Sequence, residues 1–110
     1  MTSLVMLRRL IGGYTGWAKV IDDDSASQMC ETIAKGLNLR GSMNIQMRLT
    51  SQGPSVFEIN PRFSSTVLMR HRIGSSDVLW ALDEAEGKDF IFPECKPNQI
   101  LVRVQDASIL

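Results

Sequence analysis

The feature that most constrains the fold is a run of alternating side chains, followed by a turn and a second strand-like run. Between residues 43 and 50 apolar and polar side chains alternate, which is the period of a β-strand with one buried face. Residues 51–53 (Ser-Gln-Gly) are typical of a turn, and residues 56–60 (Val-Phe-Glu-Ile-Asn) of a returning strand. We therefore predict a β-hairpin with a three-residue loop, in which Gly53 takes a left-handed conformation that suits glycine.

This loop also predicts the register of the hairpin. The expected cross-strand pairs are Thr50 with Pro54, Arg48 with Val56, and Gln46 with Glu58. Directly opposed residues carry their side chains on the same face, with Cβ atoms about 5 Å apart. Asn60 points to the face of Glu58 because it lies two residues further along the strand.

Three oxygen-bearing side chains, those of Gln46, Glu58 and Asn60, are thus expected on one face of the ribbon. Carboxylate and amide oxygens suit a hard cation such as Mg²⁺ or Mn²⁺ better than zinc. Arg62 follows Pro61 just past the strand, and a guanidinium matches phosphate oxygens. The pattern predicts a metal-plus-phosphate half-site. A structural interpretation is also open, because cross-strand polar pairs are ordinary stabilising units and Asn-Pro often begins a turn.

The rest of the sequence predicts further strands and helices in one continuous unit. The other predicted strands are residues 4–11, 14–22, a short β-like run at 90–92, and 100–104. The predicted helices are residues 25–37, residues 64–72, and a helix from Ser75 or Ser76 to Ala85. We expect residues 1–110 to form a single α+β unit, with a mainly antiparallel sheet and helices packed on one face.

The composition excludes several classes of protein. Twelve basic side chains balance twelve acidic ones, so the basic excess of a nucleic-acid-binding protein is missing. No apolar run approaches the roughly 20 residues of a membrane-spanning helix. Cys30 and Cys95 match no metal-binding or redox spacing and are expected to be unpaired thiols in a reducing compartment. We therefore expect a cytoplasmic protein that binds neither nucleic acid nor membrane.

Two segments of the hairpin region resemble a known family. These are Gly-Ser-Met-Asn-Ile-Gln at residues 41–46 and Val-Phe-Glu-Ile-Asn-Pro-Arg-Phe-Ser at residues 56–64. They are similar to the C-terminal signature of the ATP-grasp superfamily, most of all to the carbamoyl-phosphate synthase large chain and related ATP-dependent carboxylate–amine ligases. The resemblance extends over roughly residues 6–105, and it implies the C-terminal half of an ATP-grasp lobe.

The resemblance implies a role for each residue of the predicted half-site. The position that matches Glu58 bridges two Mg²⁺ ions on the ATP phosphates. The position that matches Gln46 is the metal ligand from the other strand, and the position that matches Asn60 completes the ligands of the second metal ion. The position of Arg62 contacts the transferring phosphoryl group or the acyl phosphate, a catalytic and nucleotide-binding role. The implied cofactors are ATP and Mg²⁺ or Mn²⁺. The implied reaction phosphorylates a carboxylate substrate, and an amine or another nucleophile then attacks the acyl phosphate.

The sequence departs from the family pattern in two respects, of which one is Ser65, where relatives often have Gly, and the other concerns the nucleotide site. It contains no glycine-rich phosphate loop before a helix, and no candidate for the phosphate-binding lysines or the adenine pocket. We therefore expect the isolated chain to be inactive until the N-terminal ATP-grasp portion completes it, from the same protein or from a split partner chain. The alternative is a non-catalytic interaction module that forms a homo-oligomer or pairs through an exposed sheet edge.

Overall fold

The computed structural model describes residues 1–105 and 107–110, and in that part of the chain it contains five strands and three helices. The strands are β1 (Val5–Ile11), β2 (Tyr14–Ile21), β3 (Asn44–Thr50), β4 (Gly53–Asn60) and β5 (Ile100–Val102). The helices are α1 (Asp24–Gly36), α2 (Val67–His71) and α3 (Asp77–Ala85). The predicted α+β class is confirmed.

The strands pair in antiparallel fashion, as predicted, but they are divided between two sheets. The first sheet has the order β1-β2-β5, and the second consists of β3 and β4. A tight turn joins β1 to β2 through Gly12 and Gly13, whose φ angles are 60° and 84°. A two-residue hairpin turn of this kind needs positive φ at both positions, and this explains the glycine pair.

The β3–β4 hairpin confirms one predicted pair and corrects two. Gln46 lies opposite Glu58 as expected, but Arg48 pairs with Ser55 instead of Val56, and Thr50 pairs with Gly53 instead of Pro54. The loop is one residue shorter than predicted. A β-bulge between Gln46 and Met47 then restores the expected register, because the extra residue of β4 at this point shifts the pairing by one. Gly53 has the predicted positive φ, at 103°.

The helices follow their sequence signals, but one predicted helix is shorter than expected and one predicted strand is absent from the described residues. Asp23 caps α1, since its Oδ1 accepts a hydrogen bond of 2.9 Å from the backbone N–H of Ala26. Helix α2 is shorter than the predicted 64–72, because residues 64–66 form a turn before it. Residues 90–92 form no strand. Instead, the Phe92 ring lies edge-to-face against the rings of Trp80 and Phe90, with centroids 5.0 and 5.4 Å away.

The buried core is small for a chain of this length. Among the described residues, the buried apolar side chains are Ala18, Val20, Ala26 and Met69. The chain exposes 8347 Å², whereas a compact monomer of its mass exposes about 6,100 Å². Its radius of gyration is 14.8 Å, against about 13 Å for a compact domain of this length. Many large apolar side chains therefore remain in contact with solvent.

None of the helices in the described part of the chain has the length and apolar character that crossing a bilayer requires.

Candidate functional site

The β3–β4 ribbon brings together three of the four predicted site residues. Gln46 and Glu58 are cross-strand partners, and Asn60 lies opposite Asn44 two pairs further along, on the same face as Glu58. The Asn60 side-chain amide donates a hydrogen bond of 3.0 Å to Oε1 of Glu58. This bond orients the Glu58 carboxylate and leaves its Oε2, together with the Asn60 amide oxygen, available to another group.

Gln46 has a partner that the sequence did not predict. Nη2 of Arg8 in β1 donates a hydrogen bond of 2.6 Å to Oε1 of Gln46 in β3. Arg8 also lies 3.5 Å from Oγ1 of Thr15. The neighbouring Arg9 instead stacks over the ring of Trp17, at 5.0 Å from its centroid. The signal in the sequence was the Arg8-Arg9 pair itself, because adjacent residues of a strand point to opposite faces and can serve different sites.

Arg62, the fourth predicted residue, lies beyond the end of β4. Its backbone N–H donates to the carbonyl of Asn60 at 2.8 Å, in the turn that Pro61 begins. Its guanidinium donates to the carbonyl of Phe63 at 3.0 Å and is otherwise exposed. In the described structure the Arg62 side chain makes no hydrogen bond to the side chains of Gln46, Glu58 or Asn60, so it is not part of that group of three.

The segment after Arg62 is fixed by a half-buried network around Arg70. Nη1 of Arg70 donates to the hydroxyls of Ser64 and Thr66, and Nη2 forms an ion pair of 2.7 Å with Asp77. Only 11% of the Arg70 side chain and 14% of the Asp77 side chain is exposed. Ser42, two residues before β3, donates to the same Asp77 oxygen at 2.7 Å. The network therefore ties the chain that follows β4 to the chain that precedes β3.

A cleft of about 760 Å³ adjoins these groups, and Arg62, Arg70 and Asp77 contribute to its wall. This volume lies within the range of small-molecule sites, roughly 300–1,000 Å³. Both thiols, Cys30 and Cys95, also line the cleft. Burial raises the pKa of each thiol, which keeps both in the protonated, poorly nucleophilic form.

The chemistry of the ribbon fits a hard divalent cation. Among the described residues no group of three or more His, Cys, Asp or Glu side chains is arranged for a metal ion. One carboxylate with two amide oxygens fits Mg²⁺, which commonly takes one or two protein carboxylates and completes its shell with water and phosphate. A cation bound there has to compete with Arg8 for the Gln46 oxygen.

A comparison with known families identifies the family of the chain. Residues 3–107 match the model of the family described as ATP-grasp in the biosynthetic pathway with Ter operon. No curated protein matches the chain. Because the family match spans nearly the entire sequence, and includes the ribbon and the Arg62 turn, the chain belongs to this ATP-grasp family.

Proposed function

We propose that this chain supplies the phosphate-side half of the active site of an ATP-dependent carboxylate–amine ligase of the carbamoyl-phosphate synthase type, acting in the cytoplasm. The observation that carries the proposal is the pairing of Gln46 with Glu58 across the ribbon, with Asn60 hydrogen-bonded to Glu58. Family membership supports the coarser part of it, an ATP-dependent ligase-like activity. The sequence resemblance supports the finer part.

The proposed reaction has two steps. The γ-phosphoryl group of ATP passes to a carboxylate oxygen of the substrate, which gives an acyl phosphate and ADP. An amine nitrogen then forms a bond to the acyl carbon and loses a proton, while phosphate leaves with the electron pair of the broken C–O bond. Phosphoryl transfer depends mainly on positioning and on neutralisation of charge.

In this proposal different residues of the chain position the phosphoryl group and neutralise its charge. Glu58, Gln46 and Asn60 would hold Mg²⁺ or Mn²⁺, which neutralises the phosphate charge and orients the transferred group. Arg62 would hold the phosphoryl oxygens through its other guanidinium nitrogens, since among the described residues only Nη1 donates a hydrogen bond. The Arg70–Asp77 network keeps the Arg62 segment and the start of β3 in a fixed relation.

We further propose that residues 1–110 act as a partial domain, the C-terminal subdomain of the ATP-grasp fold, which an N-terminal ATP-grasp portion completes. The exposed area supports this, because it exceeds that of a compact monomer by about 2,200 Å². An excess of this size matches one side of an extensive permanent interface. The isolated chain should then lack turnover, and ATP hydrolysis by the pure chain with a carboxylate present would contradict the partial-domain proposal.

Titration calorimetry of ATP into the chain, with and without Mg²⁺, tests the partial-domain proposal directly. We expect no heat of binding at micromolar concentrations. Magnesium-dependent micromolar binding would mean that the nucleotide site is already complete, for example across a homodimer, and would overturn it.

Paramagnetic broadening tests the half-site itself in the same chain. Mn²⁺ with ATP at millimolar concentration should broaden the amide signals of Gln46, Glu58 and Asn60 first, and Glu58→Gln should abolish this effect. Broadening confined to other acidic segments, such as residues 22–24, would refute the proposed ligands. If Glu58→Gln leaves both broadening and partner binding unchanged, the non-catalytic interaction module is the better description.

A further inference from the structure

The wall of the cleft that Arg62 lines is aromatic over part of its surface. Trp80, Phe90 and Phe92 all line it, and their rings form one edge-to-face cluster, with centroids 5.0 and 5.4 Å apart. Trp80 belongs to α3, whereas the two phenylalanines belong to the segment between α3 and β5. Aromatic side chains at the edge of a cleft offer apolar area to a ligand, and their π faces attract cations.

The charged side chains of the same cleft are mostly acidic. Among the residues that the structure describes, the lining contains four carboxylates and two guanidiniums, those of Asp22, Asp77, Glu84, Glu94, Arg62 and Arg70. Asp77 and Arg70 neutralise each other in their ion pair. The remaining charges are those of Arg62, the amino group of Met1 and three exposed carboxylates, so the lining carries a small net negative charge and favours a cationic ligand over an anionic one.

Two of these carboxylates line the cleft together with the aromatic cluster and are close to its members in sequence. Glu84 lies four residues after Trp80 in α3, a spacing that puts both on one face of a helix. Glu94 lies two residues after Phe92. Neither Glu84 nor Glu94 forms an ion pair with another described residue, unlike Glu86, which pairs with Lys88. A ligand with an ammonium group and an apolar body would therefore find both an aromatic surface and unpaired carboxylates.

We propose that this cleft binds the amine substrate of the ligase, and that this substrate is an amine with an aromatic or bulky apolar side chain. The proposal rests on the proposed function, and it adds to it the class of nucleophile. Arg62 lines the same cleft, whereas Gln46, Glu58 and Asn60 are not among its lining residues, so Arg62 is the group that links a bound amine to the proposed phosphoryl site. A carboxylate beside a bound ammonium group is also suited to accept the proton that it must lose before attack.

The test uses the isolated chain and needs neither ATP nor metal. 2-Phenylethylammonium is titrated into the ¹⁵N-labelled protein, with 3-phenylpropionate and ethylammonium as probes that keep only the ring or only the charge. We expect 2-phenylethylammonium to shift the Trp80 indole signal and the α3 amides at concentrations at least fivefold lower than either control. The signal of Trp17, which does not line the cleft, serves as the internal reference.

Matched variants identify the groups involved. Glu84→Gln and Glu94→Gln should each weaken binding of 2-phenylethylammonium about threefold or more, whereas Glu86→Gln at the end of the same helix should leave it unchanged. Trp80→Leu should weaken binding of both aromatic probes. All four substitutions involve exposed or half-exposed side chains, and an unchanged amide spectrum confirms that each variant folds.

Three results would overturn the proposal. One is equal binding of 3-phenylpropionate and 2-phenylethylammonium, another is shifts that map outside the cleft, and the third is self-association of the chain that covers Trp80. The outcome is separable from that of the manganese experiment, which is read on β3 and β4. If the manganese effect is absent but the amine binds, the proposed ligase function is wrong and the amine site remains. If the manganese effect is present but the amine does not bind, only the amine site is wrong.

Discussion

Arg8 and Gln46 join the two sheets of the protein through a single hydrogen bond of 2.6 Å, from Nη2 of the guanidinium to Oε1 of the amide. The two residues belong to strands that do not pair with each other. A positive charge therefore lies within the group of oxygen ligands that we propose for a divalent cation. The affinity of these ligands for a metal ion should therefore depend on whether Arg8 is hydrogen-bonded to Gln46.

Arg8→Ala should strengthen the binding of Mn²⁺ about three- to fivefold in the absence of nucleotide. The substitution frees the Gln46 oxygen and removes a like charge, and two exposed unit charges a few ångströms apart interact by about 1 kcal/mol. Mn²⁺ affinity is measured by electron paramagnetic resonance. Arg9→Ala is the control, because Arg9 lies over Trp17 instead, and an equal effect of both substitutions would argue against the link.

Glu58→Gln should abolish the binding of Mn²⁺ at the ribbon but change the free energy of unfolding by less than about 0.5 kcal/mol, since exposed positions tolerate isosteric changes. Glu58 is exposed, and among the described residues the only hydrogen bond to its carboxylate comes from the Asn60 side chain. Metal titration and urea unfolding of the same sample separate the two effects. Glu31→Gln, on the exposed face of α1, provides the control for loss of one negative charge. Retained Mn²⁺ binding in Glu58→Gln would remove this residue from the ligand set.

Arg70→Ala should destabilise the protein by about 3 kcal/mol, because it leaves the Asp77 charge buried without its partner. It also removes the donors to Ser64 and Thr66. Arg72→Ala, two residues further along and exposed, should cost less than about 0.5 kcal/mol. Urea unfolding monitored by tryptophan fluorescence gives both values, and equal stabilities would show that the network does not hold the Arg62 segment.

Gly53→Ala and Gly36→Ala should have opposite effects on stability. Gly53 has a φ of 103°, so a Cβ there should cost about 1–2 kcal/mol. Gly36 is the last residue of α1, has ordinary helical φ and has open space where the Cβ would lie. Alanine there should stabilise the protein by about 0.4–1 kcal/mol. Thermal unfolding of the two variants compares them directly, and a change of the same sign in both would contradict the assigned turn.

Alkylation of Cys30 and Cys95 by iodoacetamide should be slow at neutral pH and should reach half its maximal rate at a higher pH than in the urea-unfolded chain. Burial raises the pKa of both thiols in the folded protein, so less thiolate is present at a given pH. The folded state then holds these protons more tightly than the unfolded state does. Its stability should fall as the pH rises from the ordinary thiol pKa through the folded one. Coincident pH profiles for the folded and unfolded chains would contradict this expectation.

The sequence was most informative where neighbouring signals agreed. Alternation, the turn and the returning strand together predicted the hairpin and the pairing of Gln46 with Glu58. The pairing of Gln46 with Glu58 was predicted correctly although two other pairs were not. The shorter loop shifts the register by one residue, and the β-bulge beside Gln46 shifts it back by one. A bulge has no strong signal in a single sequence, since it depends on how the strand bends in the folded structure.

Features that depend on distant contacts were not predictable in this way. The Arg8–Gln46 bond joins two sheets, and the late start of α2 reflects the hydrogen bonds that Arg70 donates to Ser64 and Thr66. Likewise, Phe92 belongs to an apolar run of strand-like composition, yet its ring packs against Trp80 and the run forms no strand. In the helix and in the apolar run, tertiary packing overrides a local propensity.

The division into two sheets has a consequence for the order in which the protein assembles. The β3–β4 ribbon pairs residues that are close in sequence, and hairpins of this kind form in about 1–10 μs. The first sheet is complete only when β5 pairs Trp17 with Val102, near the two ends of the chain. Such long-range closure is slow because its entropic cost comes before its contacts. During synthesis on the ribosome, the β3–β4 ribbon is therefore expected to form while β5 has yet to be made.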